Sequence, residues 1–199
     1  MTLSKSEQTR IAILEEAMVS FNKKGYAGTH IRDIAGALSM TQGAIYGNFK
    51  NKDELALESF RRAYRKVGQA LWEYVDEAKD HSERLHRFVS FFERYLENPV
   101  VPGGCPMLNT AVEADDYYII LKEEVKVAFG KLQRFFGREV KAGQEAGQFR
   151  TDIDAAYYAG VIIALIEGTI LLCRIDNNQQ LMHNNLRFMG QVIDTQIKL

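Results

Sequence analysis

At 199 residues, with 46% hydrophobic and 26% charged side chains, the chain has the composition of a globular protein, long enough for one compact unit or two small ones. A net charge of −1 argues against indiscriminate nucleic-acid binding, and two cysteines exclude a disulfide framework, so the expected setting is a reducing cytoplasm. Residues 1–8 are polar and carry no signal-peptide pattern. The longest apolar run, residues 159–172, is interrupted by Glu167 and is short for a bilayer, so no membrane partner is expected. Charge is unevenly spread: residues 1–66 hold 11 Lys and Arg against 7 Asp and Glu, and the remainder holds 14 against 19. A mildly basic amino end on an acidic body fits a DNA-reading head, although Arg61, Arg62, Arg65 and Lys66 also read as a solvated helix face.

The first predicted helix carries Ile11, Leu14, Met18 and Phe21 on one face and ends at Lys23-Lys24-Gly25, where Gly25 suits a left-handed terminus. Two short helices around a tight turn follow. Ile31, Ile34, Ala35 and Leu38 make one face of the first apolar, and Ser39-Met40 makes the turn. Thr41 caps the second, and Ile45 and Phe49 point inward. Thr41, Gln42, Gly43, Tyr46 and Asn48 are left facing outward, a polar surface with no acid, which is the layout of a helix-turn-helix that reads the major groove. Gln42 suits a bidentate pair with adenine, and Gly43 permits close backbone approach. Tyr46 and Lys52 are placed for phosphates, as are Thr29 and His30 at the start of the preceding helix. Asn51, with Glu54 three residues on, caps a fourth helix.

Thr9-Arg10-Ile11, Phe21, Lys24-Gly25-Tyr26, Thr29, Ile31, Asp33-Ile34-Ala35, Gly43, Ile45-Tyr46, Phe49 and Lys52 to Leu55 fall in the order and spacing of the TetR family of bacterial repressors, which residues 6–58 closely resemble. The resemblance implies an all-α fold: a three-helix DNA-binding domain over residues 1–51, then an effector-binding and dimerisation domain over residues 52–199. It also implies a homodimer joined by the last two long helices, a palindromic double-stranded DNA operator, and release by a small molecule. The family commonly has glycine where this chain has Ser39; if that turn requires positive φ, serine costs about 1 kcal/mol. Asn48 stands where histidine or tyrosine is usual.

In the body, helices are predicted over residues 52–79, then through Leu85, Phe88, Val89, Phe92, Tyr95 and Leu96 to Asn98-Pro99. After the loop at residues 99–104 come Pro106 to Asp115, Tyr117 to Ala146, a helix capped by Thr151 or Asp152 and ending near Cys173, and Asn178 to Ile197. Residues 155–173 are apolar on nearly all sides and so predict burial all round, most simply in a dimer. Phe88, Phe92, Tyr95, Met107, Leu108, Tyr117, Phe129 and Ile166 are candidate walls of an effector pocket for an apolar or aromatic molecule. Glu113 and Glu167 are its candidate polar anchors, although a structural partner also satisfies Glu167. Cys105 stands at a predicted helix start, where a thiolate is favoured. The segment Gly103-Gly104-Cys105-Pro106-Met107-Leu108-Asn109 resembles a branch of the family in which some members sense electrophiles through this cysteine; the alternative is a small packed residue.

The function expected is therefore a sequence-specific repressor released by a small effector. The alternatives are a redox-sensing repressor acting through Cys105 and a constitutive DNA-binding protein without an effector. His30, His81, His86 and His183 include no i, i+4 pair, and neither a phosphate loop nor a nucleophile elbow occurs, so no enzyme, metal or cofactor is expected.

Overall fold

The computed structural model describes residues 3–95 and 97–199; the side chains of residues 115–117 are not described. Leu96 and the side chain of Tyr117, both expected above to face the core or a pocket, lie outside the described residues. The described residues form helices α1 (Lys5–Gly28), α2 (Ile31–Ala37), α3 (Gln42–Tyr46), α4 (Lys52–Asp76), α5 (His81–Ser90), α6 (Pro106–Tyr117), α7 (Ile119–Glu145), α8 (Ala155–Asp176) and α9 (Gln179–Val192), with a π-helical turn at Ile193–Ile197. The fold is all-α, as expected. Two compact units divide the chain: residues 1–66 with 101–125, and residues 67–100 with 126–199. The first therefore contains the amino-terminal helices together with α6, which is remote in sequence.

In the first unit, α1 starts in a reciprocal cap: Ser4 Oγ accepts the Glu7 N–H, and the Glu7 carboxylate accepts the Ser4 N–H at 2.8 Å. Gly25 takes φ 73°, ψ 177°, which interrupts α1 and leaves one further turn to Gly28. Ile13, Leu14, Ala17, Ile31, Ile34, Ala35, Ile45, Phe49 and Leu55 form one buried cluster, so α1, α2, α3 and the start of α4 share a core. Ser39 does adopt positive φ (54°), as the missing glycine implied.

In the second unit, α5 stops at Ser90 rather than continuing to Asn98. The chain tightens through i→i+3 bonds, Phe92 N–H to Val89 O, Glu93 N–H to Ser90 O and Tyr95 N–H to Phe92 O. The cap of α8 is Asp154, which accepts the Ala156 and Tyr157 N–H groups; Asp152 is taken by a two-pronged pair with Arg150 (3.0 and 2.8 Å). Helix α8 runs past Cys173 to Asp176 and ends on left-handed Asn177. Its 22 residues are long and apolar enough by length and composition to cross a bilayer. It packs on α9, however, and buries Glu167, Thr169 and Cys173 with Ile162, Ile166 and Ile170, the surroundings of a core helix. Within the single chain the burial is incomplete on one side: Tyr157, Leu171, Leu172 and Ile175 of α8 are exposed, as is Phe188 of α9, so burial all round would require a partner.

Candidate nucleic-acid interface

Thr41 positions the short helix α3. Its extended backbone halts the turn from α2, and its hydroxyl accepts the Ala44 N–H at 3.2 Å. Ile45 (0% exposed) and Phe49 (2%) fasten α3 into the core, and that anchorage fixes which side faces out. Thr41, Gln42, Gly43 and Tyr46 are exposed, and Gln42 and Gly43 form the first turn, where side chains of a groove-reading helix reach base edges. His30, the N-cap residue of α2, is exposed, and its side chain leaves the first N–H groups of α2 uncapped. Asn48 is half-buried; its side-chain amide donates to Ala44 O at 2.9 Å and closes α3.

Two expected phosphate contacts are occupied inside the protein. Thr29 is buried, with its hydroxyl donating to Gly25 O at 2.7 Å. Lys52 donates from Nζ to Tyr26 O at 2.6 Å and lies 4.1 Å over the Tyr26 ring. Burial holds the Lys52 ammonium below its usual pKa, against the opposing charges of Glu113 and Asp53. Burial, then a hydrogen bond to Asp53, raises the Tyr26 phenol. Lys50 is exposed beside this cluster.

Arg10, not singled out above as a site residue, supports this surface from α1. Its guanidinium donates to Asn48 O and to Glu58 Oε1 (2.5 Å) and lies 4.1 Å from the Phe49 ring centroid. Glu15 of α1 likewise receives Arg62 (2.8 Å) and Lys66 (2.6 Å), so part of the basic run on α4 braces α1 and is not merely solvated. Burial opposes ionisation of Glu15, but these donors outweigh it and hold its pKa below 4.5.

The other expected site residues fall into both units. Phe88, Phe92 and Tyr95 are buried in the second, in an aromatic array: Phe88 lies 5.4 Å from Phe135 and 6.3 Å from Phe92, and Phe92 lies 5.5 Å from Tyr95. Phe129 is half-buried there, and Ile166 and Glu167 are buried. In the first unit, Cys105 is the N-cap residue of α6 and is only 4% exposed; Met107 is buried and Leu108 half-buried. The Glu113 carboxylate accepts the backbone N–H groups of Tyr26 (2.5 Å) and Ala27 (3.2 Å).

A helix-turn-helix head followed by further helices defines a class of DNA-binding regulator. The sequence model for bacterial regulatory proteins of the tetR family matches residues 13–58, and that for the tetracyclin repressor-like C-terminal domain matches residues 82–189. A TetR transcriptional regulator from Chloroflexus aurantiacus J-10-fl is 33% identical with a TM-score of 0.96, over 99% of this chain and 100% of that one. A TetR-family regulator from Cytophaga hutchinsonii is 33% identical with a TM-score of 0.91, over 100% and 99%. The HTH-type transcriptional repressor DhaR of Mycobacterium sp. (strain GP1) is 23% identical over 168 residues, 84% of this chain and 83% of that protein. The chain belongs to the TetR family of transcriptional regulators, whose members are DNA-binding proteins rather than enzymes and are typically effector-responsive repressors.

Proposed function

We propose that this protein is a cytoplasmic homodimeric repressor that occupies a palindromic operator and is released by a small apolar or aromatic effector. The observation that carries the DNA half of this reading is α3. A capped, core-anchored helix presents Thr41, Gln42, Gly43 and Tyr46 with no carboxylate among them. Gln42 and Gly43 meet base edges, Tyr46, Lys50 and His30 meet phosphates, and Asn48 and Lys52 hold the surface in shape.

The exposed stripe of Tyr157, Leu171, Leu172, Ile175 and Phe188 supports dimerisation through α8 and α9, since apolar side chains gathered on one face favour burial against a partner. Two heads on a two-fold axis double the base contacts and require half-sites about 34 Å apart. The buried aromatic array of Phe88, Phe92 and Tyr95 supports an apolar effector class. Cys105, buried at the N-cap of α6, reads as a packed residue.

The test is a footprint at near-physiological salt on the DNA upstream of the protein's own gene, followed by addition of candidate effectors. Protection of a near-palindrome, lost on adding an apolar aromatic compound, is the expected result. Protection that no compound relieves would favour constitutive binding, and release abolished by Cys105→Ser would favour redox sensing.

A further inference from the structure

The turn at Gly25 leaves a problem that α6 solves. With φ 73° and ψ 177°, Gly25 leaves helical geometry inside α1, and the two amides that follow it turn toward α6. The Glu113 carboxylate, 86 and 87 residues further along the chain, takes both: Tyr26 N–H at 2.5 Å and Ala27 N–H at 3.2 Å. The fit is close, because a Cβ added at Gly25 would fall on that carboxylate. The corner is then closed from α4, with the Lys52 ammonium on Tyr26 O and Asp53 receiving the Tyr26 hydroxyl. Thr29 ends the corner, its N–H on Tyr26 O (3.4 Å) and its hydroxyl on Gly25 O, and α2 begins two residues later.

A second set of bonds fixes α6 and the loop before it to α1. Asn22 donates to Pro102 O and Gly104 O at 3.0 Å each, and Asn109 donates to Asn22 O at 2.9 Å and Gly103 O at 2.8 Å. The carboxylate of Glu113 is therefore delivered to the corner by a helix that is itself held in place.

We propose that Glu113 is a positioning residue for operator recognition: by capping the Tyr26 and Ala27 amides behind Gly25, it sets the direction in which α2 and α3 leave α1. This rests on the reading that α3 meets DNA. Glu113 is an acid in a head that binds a polyanion, so its charge alone opposes binding, and its removal would strengthen attachment if it had no other role. The latch has the opposite sign. Glu113→Ala weakens operator binding by about tenfold or more, while binding to unrelated DNA holds or rises. Glu113→Asp keeps the charge but is one methylene short, and loses operator affinity as well.

The experiment measures operator and non-specific DNA affinity for the full-length wild-type, Glu113→Ala and Glu113→Asp proteins, together with amide hydrogen exchange at Tyr26 and Ala27. Faster exchange at those two amides in both variants, with selective loss of operator affinity, supports the latch. Operator affinity equal to or above wild type, or exchange at Tyr26 and Ala27 unchanged, overturns it. Exchange is measured without DNA, so it decides whether the cap exists even where the wild type protects no operator; that last result would count against the reading of α3.

Discussion

Arg10 lies with its guanidinium 4.1 Å from the centre of the Phe49 ring, tying α1 to the residue that anchors the end of α3. The same group donates to Asn48 O and to Glu58, so one side chain joins α1, the end of α3 and α4.

Replacing Arg10 by alanine removes a cation–π contact worth about 0.5–2 kcal/mol and leaves Asn48 O and Glu58 without this donor. Arg10→Ala is expected to lower unfolding free energy by about 1–3 kcal/mol, and to weaken operator binding more than Arg10→Lys does. Urea unfolding and operator titration of both variants check this; equal stability for all three proteins would contradict it.

Ser39 holds φ at 54°, a conformation that glycine adopts freely and serine does not. Ser39→Gly relieves about 1 kcal/mol of strain and gives back part of it as unfolded-state entropy. A net gain of about 0.5 kcal/mol is expected, a rise in melting temperature of about 1–2 °C. Calorimetry of the variant against Ser39→Ala separates this from loss of the hydroxyl, since alanine keeps the strain.

Glu15 has a folded-state pKa below its ordinary 4.5, held there by Lys66 and Arg62 against the cost of burial. Its stabilising contribution is therefore present above about pH 4.5 and is lost as pH falls through the lower folded value. The side chain is 36% exposed, so the contribution is expected to stay within about 1 kcal/mol. Unfolding free energies of wild type and Glu15→Gln should differ at pH 6, and the difference should shrink as pH falls below 4.5; a constant difference would contradict the assignment.

Much of the head was legible because its signals are local. Thr41 capping Ala44, Ile45 and Phe49 turned inward, and positive φ at Gly25 all follow from neighbours within a few residues, whereas positive φ at Ser39 was raised only by the glycine usual in the family. Contacts between distant parts of the chain left no such trace. Glu113 read as a pocket anchor because it is an acid on a partly apolar helix, and its acceptance of the Tyr26 and Ala27 amides depends on α6 packing against α1. Nothing near Arg10 in sequence points to Asn48 or Glu58. The α8 cap fell on Asp154 rather than Asp152 because Arg150 claims the earlier carboxylate, a competition that spacing alone does not resolve.

The central claim, that α3 reads base edges through Gln42, is tested most directly by measuring Gln42→Ala and wild-type affinities across single base-pair variants of the protected operator, at several salt concentrations. The expected result is a loss of about 1–3 kcal/mol per half-site, loss of discrimination at one symmetric base pair, and an unchanged salt slope. Equal affinity for every operator variant by both proteins would contradict it.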